Sequence, residues 1–309
     1  MKRAASAKFP NSVQLFKFCL KVMGQQRSTK INDQEVGHIL DFNPSDCSHW
    51  KRGEKNVRSV FALAKLSEVL RVEQAILHDL ASGSSGLDEA FFEYNEGLTI
   101  REAIAACTQS TQSEVEVEGA RRRIEAFVAQ LHAQSEFTTP PLYLPEVLRF
   151  FSFVSTQPVE MVDRLSRVLR TKPGYYSIQF RKGELKAQTR MSVARDIARI
   201  ILDSERARFP ELGDLNPQLL AFEQLVFAAN LLAPKNLIQQ EMNRLDVRRN
   251  VVAELASLFW APKALVGFQI QEMLRTTQQQ IFSRNATETN AVLDGSGRGQ
   301  INFDLPQAG

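Results

Sequence analysis

The alternation of apolar and polar positions along the chain predicts a mainly helical protein with one small region of strands. Short helices joined by tight turns are predicted over residues 11–81. After Ser113, apolar residues recur at intervals of three and four and predict a longer helix, with the seam Val117, Ala120, Ile124, Phe127 and Leu131. This seam is little longer than two heptads, so it either packs within its own domain or pairs two chains in a dimer.

Linker and helix-cap residues between these elements predict how the chain is divided into domains. The glycine- and serine-rich run at 82–86 predicts a flexible linker after a first domain at 11–81. Residues 82–138 then form a linker and helical segment, with capping boxes at Thr99 with Glu102 and at Ser113 with Glu116. This segment is the candidate for dimerisation.

A second domain is predicted at residues 139–275. Strands at 175–180 and 185–188 are joined by a turn at 181–184, and a helix follows at about 190–203. Further helices run to about residue 275, and the polar residues 276–309 predict a disordered tail.

Composition indicates the cellular compartment of the protein and the charge of its partner. No run approaches the roughly 20 apolar residues that cross a bilayer, and no apolar core follows the basic N-terminal residues. The three cysteines fit neither a disulfide framework nor a zinc-knuckle spacing, so we expect a cytoplasmic protein without membrane contact. Residues 1–80 hold 13 Lys and Arg against 8 Asp and Glu, a balance of +5 in a chain of +3, which favours an anionic partner at this end.

The segment before residue 40 carries the signals of a helix start. Asn32 and Glu35 have the spacing of a capping box, and Ile31 and Val36 are placed as a hydrophobic staple across it. Gly37 then leaves room for a second helix to pass closely.

A turn and a second helix are predicted next. Asp41 tolerates the left-handed backbone of a sharp turn, and Asn43 can cap a helix whose first residue is Pro44. Cys47 and Trp50 share the inner face of this helix. The residues left on the outside are Ser45, Asp46, Ser48 and His49.

Residues 40–53 read Leu-Asp-Phe-Asn-Pro-Ser-Asp-Cys-Ser-His-Trp-Lys-Arg-Gly, which resembles the helix-turn-helix of the lambda-repressor-like (XRE) regulators. The resemblance covers about 70 residues and implies a five-helix bundle that binds double-stranded DNA, normally as a homodimer on a two-fold operator. By position, it implies base contacts from Pro44, Ser45, Ser48 and His49 and phosphate contacts from Lys51, Arg52, Lys55 and Arg58. Asp41 and Asp46 depart from the family pattern. The alternative is a helix-turn-helix that contacts only protein.

Residues 190–202 and 223–234, together with 252–274, resemble the ImmA/IrrE family of zinc metallopeptidases. The resemblance implies an α+β, zincin-like domain in which two imidazoles at i and i+4 hold the metal beside a catalytic Glu. Those three positions here are Arg195, Asp196 and Arg199, and Glu223 alone matches a zinc ligand. A guanidinium has no lone pair for a metal, so we expect no zinc, no cofactor and no peptidase activity.

Two arrangements of this degenerate site remain open. Arg195 and Arg199 either face Glu223 and Asp196 as an ion-pair cluster or point to solvent. The sequence therefore predicts a DNA-binding regulator, normally a repressor, with a catalytically inactive peptidase-like domain that receives a protein or small-molecule signal. The alternatives are a non-catalytic adaptor or antitoxin that sequesters a partner and represses its own promoter, and a metallopeptidase with unorthodox ligands.

Overall fold

Five helices at the N-terminal end surround the smaller of two hydrophobic cores. The computed structural model describes residues 7–109, 112–183, 186–246 and 250–278. The five helices are α1 (Pro10–Arg27), α2 (Asp33–His38), α3 (Pro44–Arg52), α4 (Val60–Leu70) and α5 (Gln74–Ser82). The capping box of Asn32 with Glu35 is formed as predicted, and Ile31 and Val36 are both buried in this core.

The predicted flexible linker at 82–86 is instead a hydrogen-bonded turn. The backbone N–H groups of Ser84 and Ser85 both donate to the carbonyl of Asp79 at the end of α5, at 2.9 and 3.2 Å. Ser85 is buried, and helix α6 (Leu87–Gln109) begins directly afterwards. The composition of the run was that of a linker, but its backbone groups close the end of α5.

Helix α6 belongs to both cores. Ala90 and Tyr94 in its first half are buried in the smaller core, whereas Ile100 and Cys107 in its second half are buried in the larger core. The predicted capping box at Thr99 is wrong, because Thr99 lies inside this continuous helix and its hydroxyl donates to the carbonyl of Asn95. The larger core therefore starts well before the predicted domain start at residue 139.

Helix α7 (Glu114–Gln134) packs its apolar seam inside the larger core. Its capping box of Ser113 with Glu116 is formed as predicted. Ala120 and Ile124 are fully buried, and Phe127 lies 6.2 Å from Phe227 between ring centroids. The seam thus packs within its own chain, which was the first of its two interpretations.

A three-stranded sheet follows the short helix α8 (Leu144–Leu148). Its strands are β1 (Val154–Val159), β2 (Ser166–Lys172) and β3 (Tyr175–Arg181), in the order β1-β3-β2. The β1 and β3 strands are parallel, whereas β2 and β3 are antiparallel and joined by a turn at residues 173–174. The predicted strand at 185–188 is wrong where it is described, because Lys186 caps helix α9 (Ala187–Arg199) and residues 187–188 lie in its first turn. Leu185 lies outside the described residues.

The remaining helices complete the larger core. A π-helical segment (Ile200–Ser204) continues α9, and the central helix α10 (Leu220–Leu232) packs against α6, α7 and α9. Helices α11 (Lys235–Met242), α12 (Val251–Phe259) and α13 (Lys263–Gln278) follow. Residues 276–278 are helical, so the predicted tail does not begin at 276, and residues 279–309 lie outside the described residues. The prediction of a mainly helical protein with a small sheet is confirmed.

Among the described helices, none is by itself long and apolar enough to cross a membrane. Helices α12 and α13 reach that length and composition only as a pair, and they meet at a bend of 114°.

Candidate nucleic-acid interface

Local hydrogen bonds fix both ends of α3. The side chain of Asn43 accepts a hydrogen bond from the backbone N–H of Asp46 at 2.8 Å, and Pro44 occupies the first helical position, where its missing N–H costs nothing. Gly53 ends the helix at a φ of 74°, and a Cβ atom there would lie 2.7 Å from Val13. Only glycine fits that combination of backbone conformation and close contact.

The turn between α2 and α3 brings the two helices into close contact. Asp41 adopts the left-handed conformation predicted for it, with a φ of 56°, and the N–H of Phe42 donates to the carbonyl of Gly37 at 3.1 Å. A Cβ atom on Gly37 would lie 2.8 Å from both Cβ and Sγ of Cys47. The absence of a side chain at residue 37 therefore sets the spacing of the two helices.

The inner face of α3 is anchored by Trp50, which is fully buried. Its ring makes edge-to-face contacts with Phe16 and Phe42, at centroid distances of 5.1 and 5.8 Å, and its indole N–H donates to the carbonyl of Ser12 at 2.8 Å. Such contacts satisfy the polar atom of a buried tryptophan and add to its apolar burial. They hold α3 against α1 and leave the opposite edge of α3 outside.

The residues predicted to contact bases lie along that outer edge. Pro44 and Ser45 at the N-terminal end of α3 are exposed, and Ser48 and His49 are half-buried one turn later. Of the residues predicted to contact phosphates, Lys51, Arg52 and Arg58 are exposed and Lys55 is half-buried. The structure thus brings the predicted base contacts together on one helix edge with cations beside them.

Most of these cations also contact acidic groups of the same unit. Lys51 pairs with Asp33 of α2, and Lys55 pairs with Asp46 at 2.8 Å while its ammonium lies 4.0 Å from the Phe42 ring centroid. Asp46 thus turns toward Lys55, which accounts for the acidic residue on this helix.

Glu54, just after α3, binds two of the candidates. It accepts hydrogen bonds from Arg52 at 2.9 and 3.1 Å and contacts His49. The hydrogen bond from Arg52, followed by that from His49, lowers the pKa of the Glu54 carboxyl below its usual value. Glu54 therefore stays ionised near neutrality and orients both side chains.

The peptidase-like positions do not form the ion-pair cluster expected for them. Glu223, 1% exposed, forms a bidentate pair with Arg206 at 2.5 and 3.0 Å instead of facing Arg195 or Arg199. Arg206 also donates to the carbonyls of Leu202, Leu212 and Gly213, so all five of its N–H donors have acceptors. This pair is a closed structural contact.

The three α9 positions each have a different setting. Arg195 donates one hydrogen bond to the buried Glu96 of α6 at 2.8 Å, with a second nitrogen–oxygen contact at 2.7 Å, and burial raises the pKa of that glutamate. Asp196 is buried and accepts a hydrogen bond from Ser166 of β2 at 2.5 Å, and burial raises its pKa as well. Arg199 is exposed, as in the solvent-facing alternative.

Sequence reasoning did not find the partners of these residues. Arg206 lies 17 positions from Glu223 and Glu96 lies 99 positions from Arg195, so neither pair leaves a local signal. Asp33 and Glu54 lie close to α3 in the sequence, so their pairing with its cations could have been predicted. Within the described residues, no three His, Cys, Asp or Glu side chains come together in a way that could hold a metal ion.

No protein-family model, no curated protein and no solved structure matches this chain.

Proposed function

We propose that the protein is a transcriptional regulator that binds double-stranded DNA through α2 and α3. The observation that carries this proposal is the outer edge of α3: Ser45, Ser48 and His49 lie along it, while Trp50 anchors the opposite side. In helix-turn-helix proteins, the second helix of the motif presents such an edge to the major groove. The five-helix unit around it is consistent with the lambda-repressor-like resemblance.

The ends of α3 support the same orientation. Residues at the start of a recognition helix contact base edges, and exposed cations near it contact phosphates. Arg58 is exposed and, within the described part of the chain, has neither an ion pair nor a side-chain hydrogen bond. A single unit of this size reads few base pairs, so we propose that two copies bind a two-fold operator.

Mapping of bound sites across the genome, followed by binding measurements on the recovered sequences, tests this proposal. Ser45→Ala and His49→Ala should change which sequence is preferred, because these side chains are placed at base edges. Lys51→Ala and Arg52→Ala should weaken binding to all sequences and reduce its dependence on salt. Arg244→Ala, which removes an exposed cation far along the chain, is the control. Unchanged DNA binding in all four variants would contradict the proposal.

For the C-terminal unit, we propose a sensor or interaction role without peptidase chemistry. The resemblance to the ImmA/IrrE family places two arginines where imidazoles would bind zinc. Glu223 matches the third zinc ligand, but both of its carboxylate oxygens accept hydrogen bonds from Arg206. Arginine at both positions supplies no lone pair for a metal. Metal analysis of the purified protein tests this role, and stoichiometric zinc would contradict it.

One observation favours a second candidate, the adaptor or antitoxin. Lys51, Arg52 and Lys55 are already paired with Asp33, Glu54 and Asp46, which lowers the net positive charge that α3 presents. A mixed-charge surface of this kind suits a protein partner. Co-purification of a polypeptide encoded next to this gene, abolished in the Ser45 and His49 variants, would support this candidate over the regulator.

A further inference from the structure

Positive charge is concentrated in the sheet region of the larger unit. Residues 154–183 contain six Lys and Arg and only two Asp and Glu, a balance of +4. All residues after 80 sum to −2, so the rest of that part of the chain carries −6. The sheet is therefore a basic surface on an otherwise acidic unit.

Strand alternation places part of this charge on the side facing away from the helices. Ile178 is fully buried and Val168 packs against the larger core, and both point toward α9. Their neighbours along the strands point outward. We call this the outer sheet face; it consists of Gln157, Arg167, Leu169, Lys172, Tyr175 and Gln179.

A hydrogen-bonded ladder crosses the outer sheet face. The Nε of Arg167 on β2 donates to Gln179 on β3 at 2.7 Å, and Gln179 donates to Gln157 on β1 at 3.2 Å. Within the described residues, the two terminal nitrogens of Arg167 have no hydrogen bond or ion pair. The ladder thus holds the guanidinium through its Nε. The two terminal nitrogens remain available to donate hydrogen bonds to a planar or tetrahedral oxyanion.

A bulge adds a second cation to the same face. The register of β2 against β3 shifts between Arg170 and Lys172, so that Lys172 pairs with Tyr175. The Lys172 ammonium lies 3.9 Å from the centroid of the Tyr175 ring, which is 40% exposed. Because Lys172 covers that ring, the pair offers a positive charge rather than an open surface for base stacking. Arg170 is exposed but lies on the opposite face of β2, because it shares the face of Val168 and pairs with Tyr176.

We infer that the outer sheet face is a second contact for the phosphate backbone of duplex DNA. The inference rests on the proposed function for its occupant, and charge complementarity supports it. Arg167 and Lys172 lie beside neutral amides, and phosphate contacts need only such donors, without base recognition. An anionic membrane fits less well, because Glu160 and Asp163 occupy the loop beside the exposed Val162.

The test compares full-length variants on random-sequence duplex DNA by fluorescence anisotropy, from about 50 to about 200 mM salt. The sheet variant is Arg167→Gln, Lys172→Gln. Its control is Arg122→Gln, Arg149→Gln, which removes the same charge from side chains that are 77 and 74% exposed elsewhere. Removing one phosphate-binding cation should reduce the slope of log affinity against log salt by about 0.9. For two such cations, the wild type should lose roughly 12 times more affinity than the sheet variant over a fourfold rise in salt.

Equal slopes for the sheet variant and its control would overturn the inference. A sheet variant that binds DNA normally but no longer binds phosphatidylserine vesicles would also overturn it. So would a sheet variant that binds DNA normally but aggregates, because basic edge strands also prevent pairing between sheets. Lys51→Gln with Arg52→Gln separates this result from the proposed function. If that variant binds like the wild type while the sheet variant is weakened, the sheet contact stands and the helix-turn-helix proposal fails.

Discussion

At the scale of single residues, Arg206 and Glu223 form a buried ion pair in the larger core. Both side chains are buried, and every donor of the guanidinium has an acceptor. Burying two charges is costly, and geometry this complete offsets the cost. Removing one partner would leave the other charged group without its counterion in the core.

Glu223→Ala should therefore lower the free energy of unfolding by about 3–5 kcal/mol in denaturant titrations. The double replacement Arg206→Met, Glu223→Met should recover only part of this loss, because no unpaired charge remains but the carbonyls of Leu212 and Gly213 lose their donor. Glu146→Ala, which breaks the more exposed pair with Arg149, should cost less than about 1 kcal/mol. A Glu223→Ala protein as stable as the wild type would show that the pair contributes little.

A second residue-scale prediction concerns His132, which is buried on α7, 5.3 Å from the Phe137 ring centroid. Burial lowers its pKa from 6.5 to about 4, so the folded protein holds it neutral. As pH falls from 6.5 towards 4, the unfolded chain gains a proton there and the folded chain does not.

The stability that His132 contributes is thus present above pH 6.5 and declines as pH falls towards 4. The loss should reach at most about 3 kcal/mol. His132→Gln should flatten the fall in unfolding free energy over this pH window, measured by denaturant titration at each pH. Parallel pH profiles for the two proteins would contradict this assignment.

At the scale of elements, a helix, strand or contact could be predicted from sequence where the residues that specify it lie close together along the chain. The caps of α2, α3 and α7 were predictable because donor and acceptor lie within three residues of each other. Strands β1 and β2 were missed because they are edge strands with mostly half-buried or exposed residues, and β1 contains Pro158. The candidate α3 edge followed from local pattern, whereas the partners of Arg195 and Glu223 required the tertiary fold.

The contact between α2 and α3 gives an element-scale prediction. Gly37→Ala should destabilise the protein by about 1–3 kcal/mol, because the new methyl group would overlap Cys47 and push α3 outward. Gly119→Ala is the matched control, since this glycine also lies in a helix and its nearest neighbour would be an Arg123 nitrogen at 3.5 Å. The control should raise stability by about 0.5–1 kcal/mol. Thermal unfolding of the two variants side by side distinguishes overlap from helix propensity.

At the scale of the whole molecule, α6 connects the two cores, and polar contacts reinforce the connection. Glu93 on α6 accepts hydrogen bonds from the N–H groups of Lys263 and Ala264 at the start of α13, at 2.9 and 3.0 Å. The Lys263 ammonium donates to Asp79 of α5 at 2.7 Å. Together with the Arg195 pair to Glu96, these contacts hold the five-helix unit against the larger unit.

We therefore expect the two cores to unfold together. In a Trp260→Phe background, fluorescence of Trp50 reports on the smaller core alone, because the chain has two tryptophans. Ile238→Ala, which truncates a fully buried residue of the larger core, should cost about 2–5 kcal/mol and shift the Trp50 unfolding midpoint. A Trp50 transition that stays in place would show that the cores unfold independently.

The shared helix also constrains how such a chain can be taken apart or assembled. A cut at the glycine- and serine-rich turn would remove Ala90 and Tyr94 and leave an open gap beside Phe18, whose ring lies 6.2 Å from that of Tyr94. The two units are therefore not independent domains that recombination could exchange at the glycine- and serine-rich turn. Any transplant of the N-terminal unit onto another protein would have to carry the helix through residue 98, where the last apolar residue packed against the smaller core lies.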